Sequence, residues 1–167
     1  EAVTSARDNG FSEIDSEEYW TPQISIGTPV LIPENFIPDL TVRLNVYRRI
    51  ADLVDTNEID SYAAELTDRF GGLPEEVNNL FKVIIIKQLC RKAGVEKVDA
   101  GPRGAVVSFR NDDVKNLSGL IELLGRNQMT TQLRTDHKLV HKSNWKKAPE
   151  RVQGLTRLMQ DLAAIAE

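Results

Sequence analysis

The chain has 167 residues, 41% apolar and 28% charged, with a net charge of −4. That composition supports one buried core with flanking segments, and it gives the surface as a whole no pull on nucleic acid or anionic membrane. The single cysteine, Cys90, excludes an internal disulfide and fits a reducing cytoplasm, and no apolar run approaches the ~20 residues a membrane span needs.

Residues 1–20 carry six acids against one base, Arg7, and few apolar side chains, which is the composition of an acidic linker. Residues 21–167 are expected to form one domain. The chain opens on Glu1 rather than Met, as a piece of a longer protein would. Residues 22–33 alternate at Ile24 and Ile26 and then run Val30-Leu31-Ile32 between prolines, which predicts an edge strand or a bulged strand pair.

Three helices are predicted next. Asp39 caps the first, whose apolar stripe is Leu40, Leu44, Tyr47, Ala51 and Val54. The second starts near Asn57, carries Ile59, Tyr62, Ala63, Leu66 and Phe70 on one side, and stops at Gly71-Gly72. The third opens at Pro74 with Glu75 and Glu76 behind it. Its stripe of Val77, Leu80, Phe81, Ile84 and Ile85, widened by Val83 and Ile86, marks it as the most buried of the three, and Gly94 ends it.

The second half alternates. Val95–Asp99 and Ala105–Phe109 predict a hairpin around Gly101-Pro102-Arg103-Gly104. Asp112 or Asp113 is the expected cap of a helix running to Leu124, with Gly125 as its stop. Thr130–Arg134 and Leu139–His141 predict a second hairpin, and residues 148–167 a final amphipathic helix. Runs of helices and antiparallel hairpins give an α+β fold: an N-terminal strand, a three-helix segment, then hairpins with two further helices.

The chemistry of an enzyme is missing. There is no phosphate loop, no dinucleotide fingerprint and no nucleophile elbow. Asp68-Arg69-Phe70-Gly71 interposes an arginine into a kinase-like tripeptide and lacks the other kinase signatures. One cysteine and two histidines are too few ligands for structural zinc. Cys90, on the third helix, reads as packing. No catalytic residue, metal or cofactor is expected; a small hydrolase reading has no nucleophile–base pair to stand on.

Two surfaces carry charge patterns. On the second helix Glu58, Ser61, Glu65, Asp68 and Arg69 fall on the side opposite Leu66 and Phe70. Glu65 and Arg69, four apart, would form an exposed pair worth about 0.3–0.5 kcal/mol. The bland reading is a solvated face; the sharper one is a docking surface for an arginine-bearing partner, because carboxylate–guanidinium forks are strong and directional. From Arg126 to Arg157 there are eight bases against two acids. There Lys138, Lys142, Lys146 and Lys147 are candidate nucleic-acid contacts, with Trp145 as a stacking platform.

Ile32-Pro33-Glu34-Asn35-Phe36-Ile37-Pro38-Asp39 leads into Arg43-Leu44 and Tyr47-Arg48-Arg49-Ile50-Ala51, and then Glu65-Leu66-Thr67-Asp68-Arg69-Phe70-Gly71-Gly72-Leu73-Pro74 follows. This stretch closely resembles the C-terminal domain of bacterial transcription-repair coupling factors. The likeness is sharpest over residues 30–75 and continues in element order to about residue 160; residues 1–20 resemble the connector that follows the motor domains. The resemblance implies a non-catalytic regulatory domain of an ATP-driven DNA translocase that releases stalled RNA polymerase and recruits the excision-repair protein UvrA. It implies a clamp in which Glu65, Asp68 and Arg69 meet arginines of a UvrB-like module of the same protein, hiding the UvrA surface and restraining the motor. It implies no membrane partner.

Overall fold

The computed structural model describes residues 20–166. Five helices and a mixed five-stranded sheet follow in the expected order: β1 (Gln23–Ser25), α1 (Leu40–Ala51), α2 (Thr56–Phe70), α3 (Glu75–Ala93), β2 (Val95–Gly101), β3 (Gly104–Phe109), α4 (Leu117–Arg126), β4 (Thr131–Leu133), β5 (Lys138–Lys142) and α5 (Ala148–Ala166). The acidic-linker segment, residues 1–19, lies outside the described residues. No described helix is long and apolar enough to cross a membrane.

The sheet order is β1-β2-β3-β5-β4. β1 is an edge strand parallel to β2, and the other pairings are antiparallel. Val30-Leu31-Ile32 lies outside the sheet. Its place is set by the Ile32 amide, which donates to the Tyr47 hydroxyl at 2.7 Å. Val98, Val107 and Leu139 are in register across three strands and buried on one face. Lys97, Asp99, Lys138 and Lys142 alternate onto the other.

Two apolar clusters fill the interior. One joins the inner sheet face to α3, α4 and α5; the other joins α1, α2 and the opposite side of α3. Val83, Ile86, Cys90 and Ala93 of α3 serve the first, and Val77 and Phe81 the second. A helix with partners on two sides needs apolar residues nearly all round, which is why its stripe reads so wide.

The caps follow the sequence closely. Asp39 accepts from the Val42 amide at 3.0 Å and Asp55 from the Glu58 amide at 2.8 Å. Glu58 reaches back to the Val54 amide at 2.7 Å, so α2 starts with reciprocal side-chain capping. Gly71 and Gly94 end α2 and α3 with positive φ of 95° and 73°.

Two expectations are corrected. The α1 stripe is rotated: Leu40, Leu44 and Val54 are 61%, 45% and 71% exposed, while Val46 and Ile50 are buried with Val42 and Tyr47 half-buried. The two candidate faces differ by a two-residue offset, about 200° around the helix. α1 carries apolar residues on both, so periodicity alone does not separate them. Contacts with Ile32, Ile37 and Ile59 in the second cluster decide. α4 begins three or four residues later than expected, capped by Asn116, whose side chain accepts from the Gly119 amide at 2.9 Å. Asn111 and Asp112 instead adopt positive φ in a one-turn 3₁₀ segment after β3. Gly125 lies within α4, which runs to Arg126 with Asn127 as its C-cap.

At the start of α5, Arg151 is buried without a carboxylate partner among the described residues. Its guanidinium donates to the carbonyls of Trp145 (3.0 and 3.2 Å), Ile26 (2.8 Å), Gly27 (3.2 Å) and Lys146 (3.4 Å). Four carbonyls stand in for the counter-ion and tie the end of β1 to the start of α5. One turn on, Gly154 gives the Trp145 indole its room: a Cβ there would lie 2.5 Å from Nε1.

Substituting Gly154→Ala should lower stability by about 1–3 kcal/mol through overpacking. That is opposite in sign to the usual gain of glycine to alanine inside a helix. Thermal melting checks this, and an unchanged or raised Tm would contradict the packing described. Burial pushes the Cys90 thiol up to about 12. In the native chain it should therefore resist a disulfide reagent at pH 8, and one thiol should titrate at once in denaturant.

Candidate docking face on the second helix

α2 turns Ile59, Tyr62 and Leu66 inward. The flank beside them carries Glu58, Ser61, Glu65, Asp68 and Arg69, all exposed. The helical spacing thus brings the three expected docking residues together on one accessible face. Glu65 and Asp68 make no ion pair or hydrogen bond with any described residue.

The expected Glu65–Arg69 pair does not form. Arg69 instead lies over the Phe70 ring, Cζ 4.8 Å from its centroid, and Phe70 in turn meets Phe36 at 5.8 Å. A flat guanidinium gains more from an aromatic face than from one solvated carboxylate. Its last-turn position also suits a cation, whereas Asp68 sits where the helix dipole disfavours an anion. Asp68 therefore contributes nothing to the fold through the dipole.

Beside this face a groove opens between α1 and α2, lined by Arg49, Asp55, Glu58, Ser61, Tyr62 and Glu65. Arg49 Cζ lies 5.5 Å from the Tyr62 ring centroid, and the ring meets Phe81 edge-on at 6.4 Å. Burial first, then the Glu65 carboxylate, raise the Tyr62 phenol above its ordinary pKa. Tyr62 and Arg49 were not legible as surface chemistry: tyrosine on an apolar stripe reads as core, and only its hydroxyl could hint at a second role.

The basic segment is not one patch. Trp145 is 5% exposed, with its amide donating to the Pro102 carbonyl at 2.9 Å and its ring 5.2 Å from that of His141. The stacking-platform expectation is therefore overturned: this indole is spent on the core. His141, which pairs with Thr131 through Nδ1 at 2.8 Å, is held below its usual pKa by burial. His137 sits apart in the turn, with φ 64°, so the two imidazoles share no strand face. Arg151 is internal. Lys142, Lys146 and Lys147 are exposed and Lys138 half-exposed, with Lys138 and Lys142 on the outer sheet face, away from the indole. Among the described residues no group of three or more His, Cys, Asp or Glu side chains is placed to hold a metal.

A family model, the TRCF domain, matches residues 26–120. The transcription-repair-coupling factor of Rickettsia bellii (strain RML369-C) is 36% identical over 128 residues, covering 76% of this chain and 11% of its own length. That of Escherichia coli (strain K12) is 27% identical over 162 residues, covering 97% of this chain and 14% of its own. The chain thus spans roughly a tenth to a seventh of these relatives. In fold it resembles the crystal structure of a C-terminal domain of transcription-repair coupling factor, with TM-score 0.71 at 18% identity over 88% of this chain and 96% of that one. The capped α2 with its Glu65-Leu66-Thr67-Asp68-Arg69-Phe70 turn lies inside the matched region, and the chain belongs to the TRCF domain family of transcription-repair coupling factors.

Proposed function

We propose that this chain is the non-catalytic regulatory domain of a cytoplasmic, ATP-driven DNA translocase that releases stalled RNA polymerase and recruits UvrA. It docks through Glu65, Asp68 and Arg69 on a UvrB-like module of the same protein. Docking masks the surface UvrA would use and restrains the motor until polymerase or DNA favours the open state.

The observation that carries this reading is the pair of carboxylates, Glu65 and Asp68, on the outer face of α2, which have no partner among the described residues. Asp68 stands where the helix dipole opposes it, so local stability does not account for it. Arginines on the facing module would supply what both groups lack. A few such contacts amount to the 5–150-fold typical of coupling between states.

Nucleic-acid contact through Lys142, Lys146 and Lys147 is the second reading. It has exposed lysines in its favour and has lost its aromatic platform, since Trp145 is buried. It requires steeply salt-dependent DNA binding by the isolated chain.

Replacing Glu65→Lys and Asp68→Lys together should weaken capture of the UvrB-like module by roughly tenfold or more. In the full-length protein the same pair should raise basal ATPase activity and UvrA binding. Tm should hold steady, because exposed unpaired side chains far from the core shift stability by about 0.5 kcal/mol or less. Unchanged capture, ATPase activity and UvrA binding would defeat the docking reading.

A further inference from the structure

The sheet buries one face in the core and turns the other outward. On the outer face Val106 and Val140 stand side by side in register, with Asp99 beyond one and Gln132 beyond the other. Both valines are half-exposed and belong to neither apolar cluster. A groove of about 410 Å³ runs over them, lined also by Pro102, Arg103 and Lys142. One row along, Lys97, Ser108 and Lys138 alternate onto the same face. Lys97 engages Asp99 at 3.7 Å, whereas Arg103, Lys138 and Lys142 form no ion pair with any described residue. The face therefore offers an apolar seat with spare cations around it.

The charge of the chain is divided to match. Residues 20–166 hold 20 bases and 18 acids, while residues 1–19 hold six acids and one base. The acidity of the whole chain thus comes from its first segment. That segment carries a branched apolar side chain between carboxylates, Glu13-Ile14-Asp15, with Glu17 and Glu18 behind it. It also joins the fold in the right place. Trp20 stacks on Arg110, the residue after β3, with Cζ 4.9 Å from the ring centroid. From Trp20 back to Ile14 the chain can span about 20 Å, and Val106 lies only about 14 Å from Arg110 along β3.

We infer that residues 13–18 lie across the outer sheet face, with Ile14 over Val106 and Val140 and the carboxylates on Arg103, Lys138 and Lys142. The contact is independent of the docking face on α2. Nucleic acid would use the cations, but its phosphates bring nothing to cover the valines. An apolar side chain flanked by carboxylates uses both features of the face. Seated there, the segment masks these lysines from any other anion.

The test is zero-length crosslinking of the 167-residue chain with a carbodiimide, which joins a carboxylate to a lysine where the two meet, mapped by mass spectrometry. Glu13, Asp15, Glu17 and Glu18 should join Lys97, Lys138 and Lys142 in preference to Lys82 and Lys147, which are exposed elsewhere. The yield should fall about threefold or more in roughly 1 M salt, where the screening length is about 3 Å. Ile14→Ser keeps every carboxylate and should still lower the yield about three- to tenfold, the effect of partly burying one such side chain. Charge attraction alone would not respond to that change. Equal crosslinking to all exposed lysines would overturn the inference, as would a yield indifferent to Ile14→Ser. Crosslinks found only between isotope-labelled and unlabelled chains in a mixture would overturn it too, since they seat the segment of one copy on another.

Discussion

α3 has to satisfy two interiors at once, and the rest of the fold is arranged around that demand. Its Val83–Ile86–Cys90–Ala93 side closes over the sheet, and its Val77–Phe81 side receives α1 and α2. Each such side chain contributes roughly 1.5–3 kcal/mol when fully buried, so neither half can part from α3 without exposing a row of them. α2 is therefore not a loose appendage. Leu66, fully buried, and Tyr62 fix its rotation, and that rotation aims Glu65, Asp68 and Arg69 outward.

A second tie works at the far end. Arg151 gathers carbonyls from the chain after β1, from Trp145 and from Lys146, and Gly154 lets the indole settle against α5. A buried guanidinium held only by carbonyls tolerates little loosening, because any lost acceptor leaves charge uncompensated. The sheet half thus forms a rigid base. The helical half displays a charged face on which Glu65 and Asp68 have no hydrogen bond or ion pair with any described residue, and a display surface needs both properties.

Much of this was legible from residue types alone. The cap at Asp39, stops at Gly71 and Gly94, the period-2 strands β2 and β3 and the outward cluster on α2 all follow from local rules that tertiary packing did not override. The failures share a cause. α1 offers two apolar faces, and only the chain before it, through Ile32 and Ile37, selects one. Asp112 and Asp113 look like caps, yet Asp112 falls in a positive-φ turn, Asp113 in the extended stretch after it, and the capping is left to Asn116. Trp145 and Arg151 sit among lysines in sequence, and nothing local distinguishes a basic residue that will fold inward from one that will not. The groove at Tyr62 joins residues of two helices and could not be read from either one.

The matched relatives are much longer than this chain, and the physical content of the docking reading is that Glu65 and Asp68 change environment in a full-length protein of that kind. Carbodiimide labelling of carboxylates, followed by mass spectrometry, measures this directly in the isolated chain and in the full-length protein at rest. The docking reading predicts ready labelling of both residues in the isolated chain and protection of both in the full-length protein, with exposed carboxylates such as Glu122 labelled alike in each. Equal labelling of Glu65 and Asp68 in the two forms would contradict it.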